Sequence, residues 1–254
     1  MTTSRRAFLV TTASLPLVSI LSDCDVSADK RGLVSLTFDD GWASQYTNAL
    51  PILQDTNIKA TFYIISDAAR DSWGDYMNAK QVLHINDLGH EIGSHTATHP
   101  DLTAISSTEA AVEIERSKKD LESLLGSKKV RTFTYPYDHY NDKIIELVKR
   151  AGYESAHEGD DLQGRQPVEF NTSLTDRYLL QSAVPTKNTS FEDLRYQIDR
   201  AQQAGLWLII VFHRIDNSGD KYSSTTVYLE KVISYITNKN IATATVSDAL
   251  ISVI

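Results

Sequence analysis

Cysteine is nearly absent from the sequence, which has Cys24 alone among its 254 residues. A single cysteine cannot form a disulfide within the chain, so no cross-link of this kind stabilises the fold. Basic residues are also scarce, since 25 Lys and Arg stand against 33 Asp and Glu and the net charge is −8. This balance argues against the phosphate backbone of a nucleic acid as a partner. It does not exclude a neutral or cationic polysaccharide.

Long apolar runs are missing as well. No stretch of about 20 apolar residues occurs after residue 30, so we expect that the body of the chain does not span a membrane. Internal repeats, low-complexity tracts and linkers are also absent from residue 32 onward. The composition, 41% hydrophobic and 23% charged, is that of a globular protein. We therefore predict one domain over residues 32–254.

Residues 1–31 have the features of an export signal and tether. A twin-arginine pattern, Ser4-Arg5-Arg6-Ala7-Phe8-Leu9, precedes a moderately apolar stretch that ends at Leu21. The pattern resembles bacterial signals of the twin-arginine pathway, which predicts an exported protein of the periplasm or cell envelope. Cys24 has the position of a lipidated cysteine, but Asp23 precedes it where a small residue is usual. A lipid anchor and an unmodified cysteine are both compatible with this pattern.

Strand and helix patterns alternate over the rest of the chain. The predicted strands are 33–38, 61–65, 130–135, 206–212 and 241–246. The predicted helices are 44–56, 81–88, 106–125, 141–151, 190–204 and 227–239. Residues 154–189 are polar and give no clear pattern, and the charges from Glu113 to Glu122 are interpreted as a solvated helix face. The alternation indicates an α/β fold with a largely parallel sheet, either a barrel or a doubly wound sheet.

Polar residues follow several of the apolar runs. Asp39 and Asp40 follow the first strand, His95 and His99 follow the segment around Ile92, and His213 follows the run 206–212. In either α/β fold, such residues gather at the carboxyl ends of the strands. Asp-Asp-Gly alone is more often a polar turn, and paired histidines are commonly surface or core residues.

The two histidines are four residues apart, which on a helix places both imidazoles on one face. Two histidines and an aspartate suit Zn²⁺, or less selectively Co²⁺, Mn²⁺ or Ni²⁺. They would leave positions for water and substrate, as a catalytic site requires. Taken together, the strand-end carboxylates and the histidine pair favour a catalytic metal site.

Two motifs identify a family resemblance. Thr37-Phe38-Asp39-Asp40-Gly41 and His95-Thr96-Ala97-Thr98-His99, with the spacing between them, resemble the first two motifs of the polysaccharide deacetylases, which are carbohydrate esterases with a NodB-type domain. The resemblance runs from about Leu33 to Tyr153 and resumes at 207–213. It implies a distorted (β/α) barrel with fewer than eight, mostly parallel strands.

The resemblance also implies roles for individual residues. Asp40, His95 and His99 would bind the metal, and Asp39 would be the general base that deprotonates the attacking water. The backbone N–H of Tyr137 would stabilise the oxyanion, and His213 would be the general acid. Val211 would line the acetyl pocket, although a plain core position is equally compatible. Trp42 is a candidate for stacking on a sugar ring, and core packing is the alternative.

The sequence departs from the family pattern around the third motif. Thr134 stands where many members have an arginine that orients the base, and neither Arg131 nor Arg177 is at that position. Asp138 stands where a glycine is frequent. The motif that supplies an aspartate to polarise the acid histidine is not recognisable, and Asp176 is only a weak candidate.

The leading functional hypothesis is a metal-dependent hydrolase of carbon–nitrogen bonds other than peptide bonds. It would remove acetyl groups from an N-acetylated polysaccharide, chitin-like, poly-N-acetylglucosamine or peptidoglycan. The first alternative is an O-acetyl esterase that acts on acetylated xylan or another glycan. The second is a carbohydrate-binding protein without catalysis, which would lack a base, ligand or acid; none of these is missing from the motifs.

Overall fold

A computed structural model describes residues 32–254. The predicted export signal, the tether and Cys24 lie outside the described residues. Within that range, no helix has both the length and the apolar character needed to cross a membrane.

Seven parallel strands form a closed barrel in chain order. The ring closes because β1 pairs with β2 on one side and with β7 on the other. The β1–β7 pairing is the longest of the described barrel, with six residue pairs from Leu33↔Trp207 to Phe38↔Phe212. The barrel strands are β1 (Leu33–Phe38), β2 (Thr61–Ile64), β3 (Glu91–Ser94), β4 (Thr132–Thr134), β5 (Ser155–Asp161), β6 (Leu180–Val184) and β7 (Trp207–Phe212).

Helices connect these strands, as the alternating pattern predicts. A π-helical segment, Gln45–Ala49, leads into the first helix. A 3₁₀ turn, Pro136–Asp138, follows β4, and the short strands β8 (Arg214–Ile215) and β9 (Ser223–Ser224) pair with each other after β7. The helices are α1 (Leu50–Thr56), α2 (Ser66–Asp71), α3 (Ala79–Asp87), α4 (Ser107–Leu124), α5 (Asp142–Arg150), α6 (Phe191–Ala204), α7 (Thr226–Asn238) and α8 (Val246–Val253).

The ring is irregular. β4 has three residues, and a single pair, Ser94↔Phe133, joins it to β3. A further short strand, β10 (Ala242–Thr243), pairs only with the start of β1 and does not enter the ring. The prediction of a distorted (β/α) barrel with fewer than eight strands is therefore confirmed.

The predicted helix starts at Ser106, Asn141 and Ser190 are also confirmed. Each of these side chains accepts a hydrogen bond from the backbone N–H three residues later. At Ser106 and Ser190 the acidic third residue bonds back, which completes a capping box. These caps fix where three of the outer helices begin.

The last predicted strand, 241–246, is too long, and the helix that follows it is not predicted. Residues 241–246 contain only the two-residue β10, and α8 follows at once. Thr245 caps α8 by accepting a hydrogen bond from Asp248 N–H. This Thr-x-x-Asp pattern is a helix-start signal that the apolar run around it hides.

Residues 154–189 contain β5 and β6, which the sequence does not reveal. In β5, Ser155 and His157 are buried polar residues, and Ala156 between them belongs to the main hydrophobic core. The His157 ring contacts Tyr63 edge-on at a centroid distance of 4.8 Å. The sequence of β5 is therefore polar, although both faces of the strand are buried at residues 155–157.

Helix α8 covers the end of the barrel where the strands begin. Val246, Ala249 and Leu250 pack against residues of β6 and β7 that include Leu180 and Trp207. The carboxylate of Glu91 accepts hydrogen bonds from hydroxyls of β2, β4 and α8, and from the backbone N–H of Ser247. The candidate site residues Asp39, Asp40, His95 and His213 lie at the opposite end, directly after their strands.

We predict that His90 makes the fold sensitive to mild acid. Its ring is buried, and Nδ1 accepts a hydrogen bond from Ala60 N–H at 3.2 Å. Burial lowers the pKa of His90 from 6.5 to about 4, and the positive charge of Lys59 contributes in the same direction. The unfolded chain therefore takes up this proton first as the pH falls. Stability is lost between pH 6.5 and about 4, by at most about 1.36 kcal/mol per pH unit for this one proton.

Urea unfolding at several pH values in this window measures the effect. His90→Gln should give a shallower pH slope than the wild type by the contribution of one proton. His84→Gln is the control, because the His84 side chain is exposed. An identical slope in wild type and His90→Gln would contradict the prediction.

Candidate metal centre

The two aspartates separate because the chain turns at the second one. Asp39 N–H still donates to Phe212 C=O at 2.8 Å, so Asp39 extends the β1–β7 pairing and is buried. Asp40 and Gly41 then have φ of 72° and 79°. This left-handed turn is formed by Asp40 itself as well as by the glycine. It gives the two carboxylates different directions at the same barrel end.

His95 and His99 lie on a loop after β3, not on a helix, so the helical interpretation of their spacing is wrong. Thr96 and His99 have φ of 66° and 65°, which breaks any helical path. The loop nonetheless brings the two imidazoles together, and His95 Nε2 and His99 Nε2 are 2.9 Å apart.

Glu113 holds this loop from helix α4. Its carboxylate accepts from Ala97 N–H at 3.1 Å, from Thr98 N–H at 2.8 Å and from the Thr98 hydroxyl at 3.0 Å. The interpretation of Glu113 as part of a solvated face is therefore wrong. A lone glutamate on a helix gives no sequence signal that a loop far away in the chain depends on it.

Asp40, His95 and His99 form one cluster of donor atoms. Asp40 Oδ1 lies 3.3 Å from His95 Nε2 and 3.4 Å from His99 Nε2, and all three ligand atoms lie within 4.8 Å of one another. His95 Nδ1 is 3.0 Å from Thr134 C=O. An N–H at Nδ1 donates to that carbonyl, which leaves the Nε2 lone pair facing the cluster.

The cluster fits a divalent cation. A tetrahedral ion with bonds of about 2.0–2.1 Å to nitrogen and oxygen has its ligand atoms roughly 3 Å apart. The distances among Asp40 Oδ1, His95 Nε2 and His99 Nε2 are close to this value. Burial, with His95 adding to it, lowers the pKa of His99 to about 4, which favours its neutral, ligating form. Burial would raise the pKa of Asp40, but the hydrogen bond with His95 and the neighbouring histidines hold it well below its usual range.

Asp39 lies beside this cluster in a drier environment. Burial raises its pKa to about 8 in the metal-free chain. Thr134 Oγ1 donates to Asp39 Oδ2 at 3.3 Å, and Asp39 Oδ1 is buried without a partner within the described residues. Arg131 pairs instead with Glu154 at 2.6 Å, and the Arg177 side chain is exposed. Thr134 thus contacts the carboxylate from the position that the family often gives to arginine.

His213 lies on a neighbouring wall, directly after β7, the strand that pairs with β1. Its ring stacks on Tyr222 at 4.9 Å, and burial lowers its pKa. Gln45 Nε2 donates to both Asp39 C=O and His213 C=O, at 2.5 and 3.1 Å, and so joins the two walls. Asp176 is exposed and accepts from Tyr178 N–H in its own turn.

Tyr137 and Asp138 form the third wall. Both have left-handed φ values, 59° and 56°, and the Tyr137 ring contacts His99 at 4.7 Å. Asp138 Oδ1 accepts from Gly159 N–H at 2.8 Å. The walls enclose a cavity of about 240 Å³ whose lining includes Asp40, His95, His99, Tyr137, Asp138 and His213.

Neither residue assigned to the substrate pocket, Val211 or Trp42, is among the residues that line this cavity. Val211 is 2% exposed and packs in the apolar cluster beneath the site, while Val184 lines the cavity. Trp42 Nε1 donates to Asp40 Oδ2 at 2.7 Å, and its ring stacks on Tyr76. Trp42 therefore contacts a candidate ligand directly.

A larger groove of about 910 Å³ opens beside the cavity and shares Tyr137, Asp138 and Tyr222 with it. Its lining is mainly polar and acidic, with Glu158, Asp160, Asp161 and Glu169 among its residues. The residues of β5 that the sequence leaves unplaced thus form one side of the groove.

Comparison with known proteins supports the family resemblance. The family described as polysaccharide deacetylase matches residues 27–156. A chitooligosaccharide deacetylase of Sinorhizobium fredii is 28% identical over 125 residues, which cover 49% of this chain and 55% of that protein. The chain spans about half the length of the curated relatives it matches.

Two solved structures share the fold. One is the Xyl-CE4 domain of a multidomain xylanase from the hindgut metagenome of Trinervitermes trinervoides, with a TM-score of 0.60 and 21% identity over 86% of this chain and 89% of that one. The other is BA3943 from Bacillus anthracis, described as a CE4 family pseudoenzyme, with a TM-score of 0.61 and 19% identity over 86% and 65%. At these identities the likeness concerns the fold alone.

Removal of a candidate ligand should remove the metal. We expect His99→Ala, purified after growth with Zn²⁺, to contain much less metal than the wild type, because two donors remain of three. Asp39→Asn should keep its metal, since Asp39 is not part of the donor cluster. Elemental analysis of the purified proteins measures both, and an unchanged metal content in His99→Ala would contradict the assignment.

Proposed function

The chain belongs to the polysaccharide deacetylase family, and on that premise we propose that it is a metal-dependent hydrolase of N-acetylated polysaccharide. The substrate would be chitin-like, poly-N-acetylglucosamine or peptidoglycan. One observation carries the proposal: three candidate metal-ligand side chains and a histidine line one cavity, a buried carboxylate lies beside them, and a larger groove adjoins the cavity. The named activity of the chitooligosaccharide deacetylase relative agrees with this class of substrate.

The metal would be held by Asp40, His95 and His99, and Zn²⁺ suits this donor set best, with Co²⁺, Mn²⁺ or Ni²⁺ as alternatives. When bound, such an ion acidifies a water molecule and polarises the acetyl carbonyl as a Lewis acid. The remaining steps fall to the side chains around the cavity.

Asp39 acts as the general base. Its buried carboxylate has the raised pKa that suits proton transfer near neutral pH, and it takes the proton from the water that attacks the acetyl carbon. A cation beside it would lower this pKa again and so keep it ionised. The Thr134 hydroxyl fixes one carboxylate oxygen at 3.3 Å and leaves the other for the water.

Tyr137 acts on the carbonyl oxygen of the acetyl group, and His213 acts on the leaving nitrogen. The Tyr137 N–H donates to the oxyanion, a contact worth about 2.7–4 kcal/mol of barrier where it has been measured in other enzymes. His213 gives a proton to the nitrogen as the carbon–nitrogen bond breaks, which releases the amine and acetate. His213 lines the cavity where the acetylated sugar would bind.

The groove suits a glycan chain longer than one sugar. It continues from the cavity past Tyr137 and Tyr222, which offer aromatic faces at the boundary. Its carboxylates, among them Glu158 and Asp160, can accept hydrogen bonds from sugar hydroxyls. The acetylated sugar would lie at the cavity with neighbouring sugars along the groove.

Release of acetate tests the function. The full chain loaded with Zn²⁺ should release acetate from N-acetylglucosamine oligomers, and a chelated sample should not. Acetylated xylan is assayed in parallel, and release from xylan alone would indicate an O-acetyl esterase. If the metal-bound protein released no acetate from either substrate, the result would favour a carbohydrate-binding protein without catalysis.

His213→Ala serves as the internal comparison in this assay. An amine is a poorer leaving group than an alkoxide, so loss of the acid should slow amide substrates far more than esters. Equal losses on the two substrate types would argue against His213 as the acid.

We also propose that the chain is exported to the bacterial periplasm or cell envelope, on the strength of Arg5-Arg6 and the apolar stretch after them. A lipid at Cys24 would keep it at the membrane surface. Fractionation of cells that carry the wild type or Arg5→Lys/Arg6→Lys checks this. Export of the double variant at the wild-type level would contradict it.

A further inference from the structure

We infer that Trp42 is a positioning residue for the metal: its indole N–H holds one oxygen of Asp40 so that the other faces His95 and His99. The inference rests on the metal-binding part of the proposed function. It assigns Trp42 a role in ligand geometry in place of a role in sugar stacking.

The division of the two Asp40 oxygens is the first observation. Trp42 Nε1 donates to Oδ2 at 2.7 Å, a short distance that is typical of a hydrogen bond to an ionised carboxylate. Oδ1 lies 3.3 and 3.4 Å from the two imidazole nitrogens. With one oxygen occupied by the indole, the carboxylate presents a single oxygen to the cation.

The second observation is that the indole cannot move freely. Its ring stacks on Tyr76 at a centroid distance of 4.3 Å and an interplanar angle of 22°. The guanidinium of Arg214 lies 3.7 Å from the centre of the Trp42 ring. Arg214 is itself held by Asp75 at 3.3 Å and by Asp216 at 3.7 Å. The donor is thus part of a packed layer and its direction is fixed.

The backbone reinforces this arrangement. Trp42 and Tyr76 form an isolated antiparallel bridge. On either side of it, Ala43 N–H donates to Asp75 C=O and Met77 N–H donates to Gly41 C=O, both at 2.8 Å. The loop before α3 is therefore bound to the turn that carries Asp40. The left-handed φ values of Asp40 and Gly41 bring residues 40 and 42 close enough for the side-chain contact.

Partners that orient a metal ligand commonly contribute 10–100-fold to metal affinity. We expect Trp42→Phe to weaken Zn²⁺ binding by about that factor, because phenylalanine keeps a ring in the stack but has no donor. The measurement is competition for Zn²⁺ between the full-length protein and a chromophoric chelator.

Trp73→Phe is the matched control. Trp73 belongs to the same aromatic group, with its ring edge-on to Tyr76 at 5.8 Å, and its hydrogen bonds within the described residues do not involve Asp40. Its Zn²⁺ affinity should equal that of the wild type. Unchanged affinity in Trp42→Phe, or an equal loss in both variants, would overturn the inference.

A second measurement uses the wild type alone and does not depend on how a variant folds. The chain has three tryptophans, so its indole N–H groups give a simple ¹⁵N NMR spectrum. Addition of Zn²⁺ should shift the Trp42 signal, since its acceptor becomes a metal ligand. Zn²⁺ binding without any indole shift would overturn the inference, whereas a wild type that binds no metal would refute the proposed function instead.

Discussion

The burial of two adjacent carboxylates at one barrel end is the constraint on which the site depends. Asp39 and Asp40 are both largely removed from water at one barrel end, and two such charges are costly to bury together. The structure resolves this by giving the two groups opposite protonation preferences. Asp40 is held ionised by the imidazoles, whereas burial favours the protonated form of Asp39. One carboxylate is thereby suited to hold a cation and its neighbour to exchange a proton.

Much of this arrangement can be predicted from the sequence because the chemistry stands at strand ends. The order of Asp39-Asp40, His95, His99 and His213 after apolar runs indicates a shared barrel end, and the alternating pattern indicates the barrel. Local hydrogen bonds also leave a clear signal, as the capping boxes at Ser106 and Ser190 demonstrate. These features depend on residues close together in the chain.

Features that depend on distant residues could not be predicted. Glu113 anchors the histidine loop and Gln45 joins two strand ends, but each is an ordinary polar residue in its own segment. β5 is hidden for a related reason, since polar side chains such as His157 lie among buried residues of the barrel. Helix α8 is not predicted because it follows an apolar, β-branched run that is typical of a strand, 241–246.

Ring closure has a consequence for the stability of partial chains. The segment that matches the family ends at residue 156, whereas the partner that completes β1 is β7, at residues 207–212. A fragment limited to the matched segment would leave the backbone groups of β1 open along its full length, and would also lack a neighbour for β5. Open strand edges of this kind recruit other chains. We therefore expect such a fragment to self-associate, even though it carries the three candidate metal ligands and the proposed base.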